Sequence, residues 1–289
     1  MVRAIVFLRW MLLVGVSAVA CAGQDGLQWL TWDDSREGTP PEVNIIESDP
    51  DGTTIEVILH GFFTETLERE TGQGMIEFSR IFLPRDPTSN HGATRYVGDA
   101  EIPVIRRYIA VLSDAEEAVV GTDGYEIEES SVYTLEGVTV YPLQKPSSEQ
   151  YPLGEFEFEE KFYNSGVPYP FDYEHPRVLS WAVVTFHHLR MAKVELYPLV
   201  YVPSERVVRI YRRFRVTVNH SGQELLEPLP STMLYDRMYS KLLANYEMIR
   251  PLLPPPLEGR GAHYLMIVPD RYLMKVLPLA SWKRAKGLQ

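Results

Sequence analysis

From about residue 53 onward, apolar and polar positions alternate with a period of two in short runs. In TTIEVILHGF (53–62), Ile55, Val57 and Leu59 fall on one side and Glu56, Ile58 and His60 on the other, with Gly61 closing the run. MIEFSRIFLP (75–84) and PVIRRYIAVL (103–112) read the same way; in the second, Ile105, Ile109 and Val111 share a face with Arg107. SVYTLEGVTVYPL (131–143) adds a strand broken or bent at Gly137. Such spacing predicts strands with one buried and one wet face.

The clearest alternation is RVVRIYRRFRVTVNH (206–220). Val208, Ile210, Phe214, Val216 and Val218 lie on one side, and Arg209, Tyr211, Arg213, Arg215 and Thr217 on the other. Arg212 interrupts the apolar side, as a bulge or an edge does. In KVELYPLVYVPSE (193–205), Val194, Leu196, Val200 and Val202 share a face, and Pro198 requires an edge or bulge position. VPSER (202–206) is the hairpin turn between the two runs. Strands joined by turns, with almost no helical pattern up to about residue 228, predict an antiparallel β-sandwich.

Helical spacing comes later. PSTMLYDRMYSKLLANYEMIRPL (230–252) predicts a helix from about 231, with Ser231 as N-cap, Leu234, Met238, Lys241, Leu242 and Tyr246 on one face, and Pro251 closing it. RPLLPPPLEGRGAH (250–263) reads as an exposed linker, stiffened by prolines and loosened by glycines. Beyond it, Tyr264–Val268 is an apolar strand and Asp270 caps a helix with Leu273, Val276, Leu277 and Ala280 at helical spacing. Pro278 is expected to break or restart that helix, and Gly287 to cap its end. Strand, turn and helix are the opening of an α/β domain.

Composition narrows the function. The 289 residues carry a net charge of −11, which argues against a nucleic-acid partner. Arg3 and Arg9, the apolar run Trp10–Val16 and the small residues after it have the layout of a secretory signal peptide over 1–22. The apolar run is too short to span a membrane, so no transmembrane span is expected in the mature form. Ala20-Cys21-Ala22 fits signal cleavage before Gly23, and AVAC (18–21) also resembles a lipoprotein signal that would lipidate Cys21. The expected location is therefore exported: extracellular, periplasmic or at the cell surface, with a lipid anchor as the second reading.

Cys21 is the only cysteine, so the body of the fold has no disulfide and no thiol nucleophile. His187 and His188, read as strand neighbours, point to opposite faces and cannot share a metal. No catalytic residue, metal site or cofactor is expected. The acidic stretches DAEEA (114–118) and EIEES (126–130) read as solvated loops. Arg206, Arg209, Arg213 and Arg215 form a basic face that could dock on an acidic surface, or be a solvated strand face paired with acidic neighbours. Arg260, between Gly259 and Gly261 in the linker, is the candidate processing site, with Gly261 as the new N-terminus.

Several blocks resemble one family. YLMIVPDRYLMKVLPLASWKRAKGL (264–288) is similar to the first strand and helix of the gingipain-type cysteine peptidase catalytic domain, through Pro278, Leu279, Ala280, Trp282, Lys283, Lys286 and Gly287. YVGDAEIPVIRRYIAV (96–111), FYNSGVPYP (162–170) and VELYPLVYVPSERVVRIYRRFRVTV (194–218) resemble blocks of its propeptide. The 201–206 turn departs from the family pattern in lacking its glycine. The resemblance spans about 55–289.

It implies a mainly β chain: an antiparallel β-sandwich prodomain followed by a truncated caspase-like α/β start. The expected organisation is signal peptide 1–22, leader or first strand 23–50, propeptide domain 51–249, linker 250–262 and catalytic-domain start 263–289. The resemblance also implies a prodomain that aids folding of its own peptidase catalytic domain and holds it inactive. The family's Cys and His lie beyond this sequence, so the fragment itself is expected to be catalytically silent. The rival reading is a standalone cell-surface β-sandwich that binds or adheres through its aromatic residues.

Overall fold

The computed structural model describes residues 19–22, 27–33, 35–84, 92–94, 96–121, 124–146, 156–170, 177–180, 182–257 and 266–286. The strands among these are β1 (Val19–Ala22), β2 (Leu27–Thr31), β3 (Glu42–Ser48), β4 (Gly52–Ile58), β5 (Gly61–Thr71), β6 (Gly74–Phe82), β7 (Gly92–Ala93) and β8 (Pro103–Ala110). Then come β9 (Tyr125–Ile127), β10 (Val132–Leu135), β11 (Arg177–Ser180), β12 (Val184–Phe186), β13 (Leu189–Tyr197), β14 (Leu199–Val202), β15 (Val207–Tyr211) and β16 (Arg213–Asn219). The helices are α1 (Glu160–Tyr163), α2 (Met233–Leu242), α3 (Tyr246–Ile249) and α4 (Leu273–Ala285).

The strands pair antiparallel in four sheets, ordered β1-β2-β5-β6, β3-β4-β16-β9, β10-β15-β14 and β11-β13-β8-β7, with β12 also on β13. Ile55 and Val57 on β4, Phe62 on β5, Phe78 on β6, Ile105 and Ile109 on β8, Val194 and Leu196 on β13, Val208 on β15 and Phe214 and Val216 on β16 bury their side chains in one core shared by all four sheets. Full burial of each such side chain contributes about 1.5–3 kcal/mol. The mainly antiparallel β architecture is the sandwich that the alternation predicts. Residues 27–31 and 42–48, upstream of position 51, already supply strands to two of the sheets.

Strands pass from sheet to sheet at identifiable residues. Pro198, with no N–H to offer a ladder, separates β13 from β14. Arg212 separates β15 from β16: its carbonyl accepts the Leu59 amide at 2.7 Å, tying this corner to the one between β4 and β5. Its guanidinium donates to Ser131 O at 3.1 Å and lies over the Trp32 ring. That β4–β5 corner must end in glycine, because a Cβ on Gly61 would sit 2.4 Å from the Trp29 ring. In the turn before β15, Arg206 occupies the left-handed region at φ 54°, where an L side chain is strained.

A second, smaller core lies outside the sandwich. Ala110, Leu112, Leu189 and Met191 pack against Tyr239, Leu243, Tyr246 and Ile249, so β8 and β13 are covered on both faces. Asn245, between α2 and α3, fastens this layer. Its Oδ1 accepts the Ala110 amide at 2.8 Å, and its Nδ2 donates to Ala110 O at 3.2 Å and Ser48 Oγ at 2.9 Å.

The structure corrects five local expectations. Tyr211, placed on the polar side of its strand, is buried, since the strand ends there and a different sheet begins. The helix starts at Met233 with Thr232 as N-cap and breaks at Leu243–Asn245; its buried residue is Tyr239, whereas Leu234 and Met238 are exposed. His187 and His188 form the two-residue turn between β12 and β13, with His187 at φ 57°, and their ring centroids lie 3.7 Å apart rather than on opposite faces. The segment 266–269 forms no strand, and α4 runs through Pro278 without a break. Gly287 and residues 264–265 lie outside the described residues.

Candidate functional site

The four arginines of the basic face are divided between a turn and two sheets. Arg206 lies in the turn before β15, where its Nη2 donates to Gly137 O at 2.9 Å, and Arg209 lies on β15. Arg213 and Arg215 lie on β16, which belongs to the other sheet, and both reach Glu56 on β4. Arg213 Nη2 and Arg215 Nε stand 2.8 and 3.0 Å from Glu56 Oε1. Hydrogen bonding from Arg213, partly opposed by burial and reinforced by Arg215, holds the Glu56 carboxyl below the usual range. Arg215 also faces Glu126 of β9 at 3.7 Å. Tyr125, Ile127, Glu128 and Phe214 complete the lining of this open depression of about 420 Å³. Such a surface presents alternating charge and favours polar contacts over an apolar ligand.

A second charged cluster was not visible in the sequence. His60, between β4 and β5, places Nδ1 3.0 Å from Asp33 Oδ2 and Nε2 3.1 Å from Glu42 Oε1. Ser35 Oγ stands 3.2 Å from the same Nδ1. A ring nitrogen facing a carboxylate on each side is satisfied when both donate, which is the imidazolium form. Burial alone would lower the His60 pKa, but the two carboxylates outweigh it and raise it. Burial would raise Asp33; hydrogen bonds from Ser35, His60 and Thr31 reverse that and lower it. The cluster clasps the end of β2, the start of β3 and the β4–β5 corner. Its members lie 18 and 27 residues from His60, so only the register of the sheets brings them together.

The third ionic cluster is buried. Glu195 on β13 is fully enclosed, with Oε1 2.8 Å from Arg106 Nε and 2.7 Å from Lys193 Nζ, and Oε2 accepting from the Tyr197 hydroxyl at 3.1 Å. This is a structural centre, since no solvent or ligand can reach the carboxylate. Among the described residues no group of three or more His, Cys, Asp or Glu is placed to hold a metal ion, and no helix is long and apolar enough to cross a membrane.

The candidate processing residues Arg260 and Gly261 lie outside the described residues. On their N-terminal side, Leu257 donates its amide to Ser231 O at 2.7 Å, so the chain leaves the body beside the start of α2. Cys21 pairs through its backbone with Trp29 in the β1–β2 ladder, and Ala22 with Gln28.

Comparison with known proteins adds the following. The Propeptide_C25 family model matches residues 34–250. A solved complex of the pro- and mature domains of RgpB from Porphyromonas gingivalis is similar at 17% identity and a TM-score of 0.50, over 71% of this chain and 97% of that chain. A structure addressing the zymogenic latency of gingipain K from the same organism aligns at 16% identity and a TM-score of 0.45, over 68% of this chain and 99% of that chain. Among curated proteins, none matches the chain.

Proposed function

The chain belongs to the Propeptide_C25 family, and from that premise we propose that it is the precursor region of an exported gingipain-type cysteine peptidase. Its sandwich folds on its own core, assists folding of the catalytic domain and holds that domain inactive until it is cut away. Family membership over residues 34–250, which include every strand from β3 to β16, is the observation that carries this reading.

The physical properties of the chain suit the role. An inhibitor of a peptidase must bind without being unfolded by it. Here one core joins four sheets, and the sheet-to-sheet corners are hydrogen-bonded to each other. The nucleophile of such a peptidase is a thiolate, and the only cysteine here is at position 21. The chain therefore acts through association, with residues 263–289 as the opening of the catalytic domain.

Maturation follows as a cut between Leu257, the last residue described before α4 to bond to the body, and the helix itself. Arg260, flanked by Gly259 and Gly261, is the bond we assign. Glycines on both sides let the backbone enter a protease cleft without unfolding either neighbour. N-terminal sequencing of the mature enzyme should begin at Gly261; a start inside Tyr264–Val268, or well before Pro251, rules the site out.

The function is tested by adding the purified chain at micromolar concentration to the mature C25 peptidase of the same organism. Peptide hydrolysis should fall in a saturable manner. An unchanged rate removes the inhibitory role.

A further inference from the structure

Helix α2 has two apolar faces, and only one is covered. Tyr239 is buried against the β12–β13 hairpin, with its hydroxyl donating to Phe186 O at 3.1 Å. Leu234 and Met238, four residues apart and therefore on one face, are 65% and 40% exposed. The sequence pattern marks this face as the one to be buried, yet the sandwich leaves it open. Neighbouring elements also carry exposed apolar side chains: Val184 and Phe186 on the edge strand β12, and Leu257, bridged to Thr232 at the start of α2. Phe186 stands 6.4 Å from Tyr235, and the His187 ring stacks on Tyr235 at 3.6 Å. His187 is held there at φ 57°, a conformation costing about 1–3 kcal/mol for such a residue. Leu234 and Met238 are neighbours one turn apart, and apolar surface left open on a folded domain marks an interaction site.

The chain also indicates what covers the face. Leu257 and Met266 are separated by eight residues, a reach of at most about 30 Å. Whatever carries residues 266–286 is therefore tethered beside α2 at high effective concentration. Helix α4 in that segment buries none of its residues, and Leu273, Met274, Leu277, Leu279 and Trp282 are all exposed. Apolar side chains spread around a helix need cover from a neighbour, and 13 residues alone are marginal in water. Charge agrees. Arg271, Lys275, Lys283, Arg284 and Lys286 against Asp270 give 266–286 a net +4, which leaves −15 on the rest of a chain whose total is −11.

The geometry points to one arrangement, which rests on the precursor reading above: the face of α2 and β12 centred on Leu234, Met238 and Phe186 is the docking surface for the catalytic domain that residues 266–286 open. The apolar face supplies the contact, the short tether supplies the local concentration, and the opposite net charges favour encounter.

The test compares the full chain with the double variant Leu234→Glu/Met238→Glu, each titrated against the mature C25 peptidase of the same organism. Binding is read by calorimetry and inhibition by peptide hydrolysis. Met75→Glu, at the tip of the β5–β6 hairpin in another sheet and 65% exposed, is the control. The double variant should bind at least tenfold more weakly with an unchanged melting curve, while the control binds like the unaltered chain. Equal affinity of the double variant and the unaltered chain overturns the docking surface and leaves the inhibitory function standing. Failure of the unaltered chain to bind overturns the precursor reading and this surface with it. Should the double variant melt without cooperativity, Phe186→Ser on the edge strand provides the same comparison.

Discussion

The strand β16 and the helix α4 are both rich in apolar residues, and only the first finds cover for them. On β16, Phe214, Val216 and Val218 are buried against β4 and the sheets beyond it, with partners more than 150 residues away in sequence. On α4, no residue is buried, although apolar side chains occupy every side of the helix. The difference is one of available partners rather than of composition. Apolar patterning states that a surface needs a partner; only topology states whether the chain supplies it.

That contrast is open to direct attack by substitution. Phe214→Ala should cost about 3–5 kcal/mol, because it removes a fully buried ring and leaves a cavity. Leu277→Ala on α4 should stay within about 0.5 kcal/mol, as exposed positions do. Urea unfolding of the two variants measures both. Equal losses would show that α4 contributes to the same cooperative unit.

Asn245→Ala comes next in size. It strips the Ala110 amide and carbonyl of their partner where water has little access, at about 1–3 kcal/mol. The loss should be local: hydrogen exchange should accelerate in α2 and α3 while β4 and β16 keep their protection. Uniform acceleration would mean that the helical layer and the sandwich are a single unit.

A pH titration of stability sharpens the picture at the N-terminal edge. The folded pKa of His60 is raised, so its contribution is complete below the unfolded value of about 6.5 and is lost as pH rises through the folded value. Asp33 is lowered, so its share is lost as pH falls through its folded value, in the acid range below its unfolded one. With both carboxylates substantially exposed, the effect of His60 should be under ~1 kcal/mol. The melting temperature should therefore decline gently from pH 6 toward pH 8, and His60→Gln should flatten that slope. A slope unchanged in His60→Gln would place its origin elsewhere.

Arg206→Gly is the smallest expected change. Glycine relieves the left-handed backbone, but it loosens the unfolded chain and gives up the bond to Gly137 O. A net stabilisation of about 0.5 kcal/mol or less is expected. A clear destabilisation would show that the side-chain bond outweighs the strain.

Much of this fold is legible in the residues themselves. Ile55 and Val57 declare β4, with Leu59 buried just past its end, and the alternation through 206–220 places Val208, Phe214 and Val216 inside. The interruption at Arg212 and the proline at 198 fall where strands change sheets. What escapes is whatever depends on distant partners. Period-two reasoning gives β13 one wet face, yet a helical layer from farther down the chain, Tyr239 to Ile249, covers it. Spacing on α2 selects Leu234 and Met238 as apolar neighbours and cannot tell which side meets the sandwich. Two histidines make a tight turn without the glycine or asparagine that usually announces one. The basic residues near 206–215 look like a single face in one dimension, and the change of sheet at Arg212 divides them. The His60 clasp has no local signature, since each of its partners comes from a different strand end.

Hydrogen exchange over the full chain, alone and with the mature C25 peptidase of the same organism, tests the account most directly. Residues 189–197 and 213–219 should exchange slowly in both conditions, and 273–285 rapidly in the chain alone. Adding the peptidase should protect 233–242. Protection of 273–285 equal to that of 213–219 in the chain alone, or no change in any segment on adding the peptidase, would contradict it.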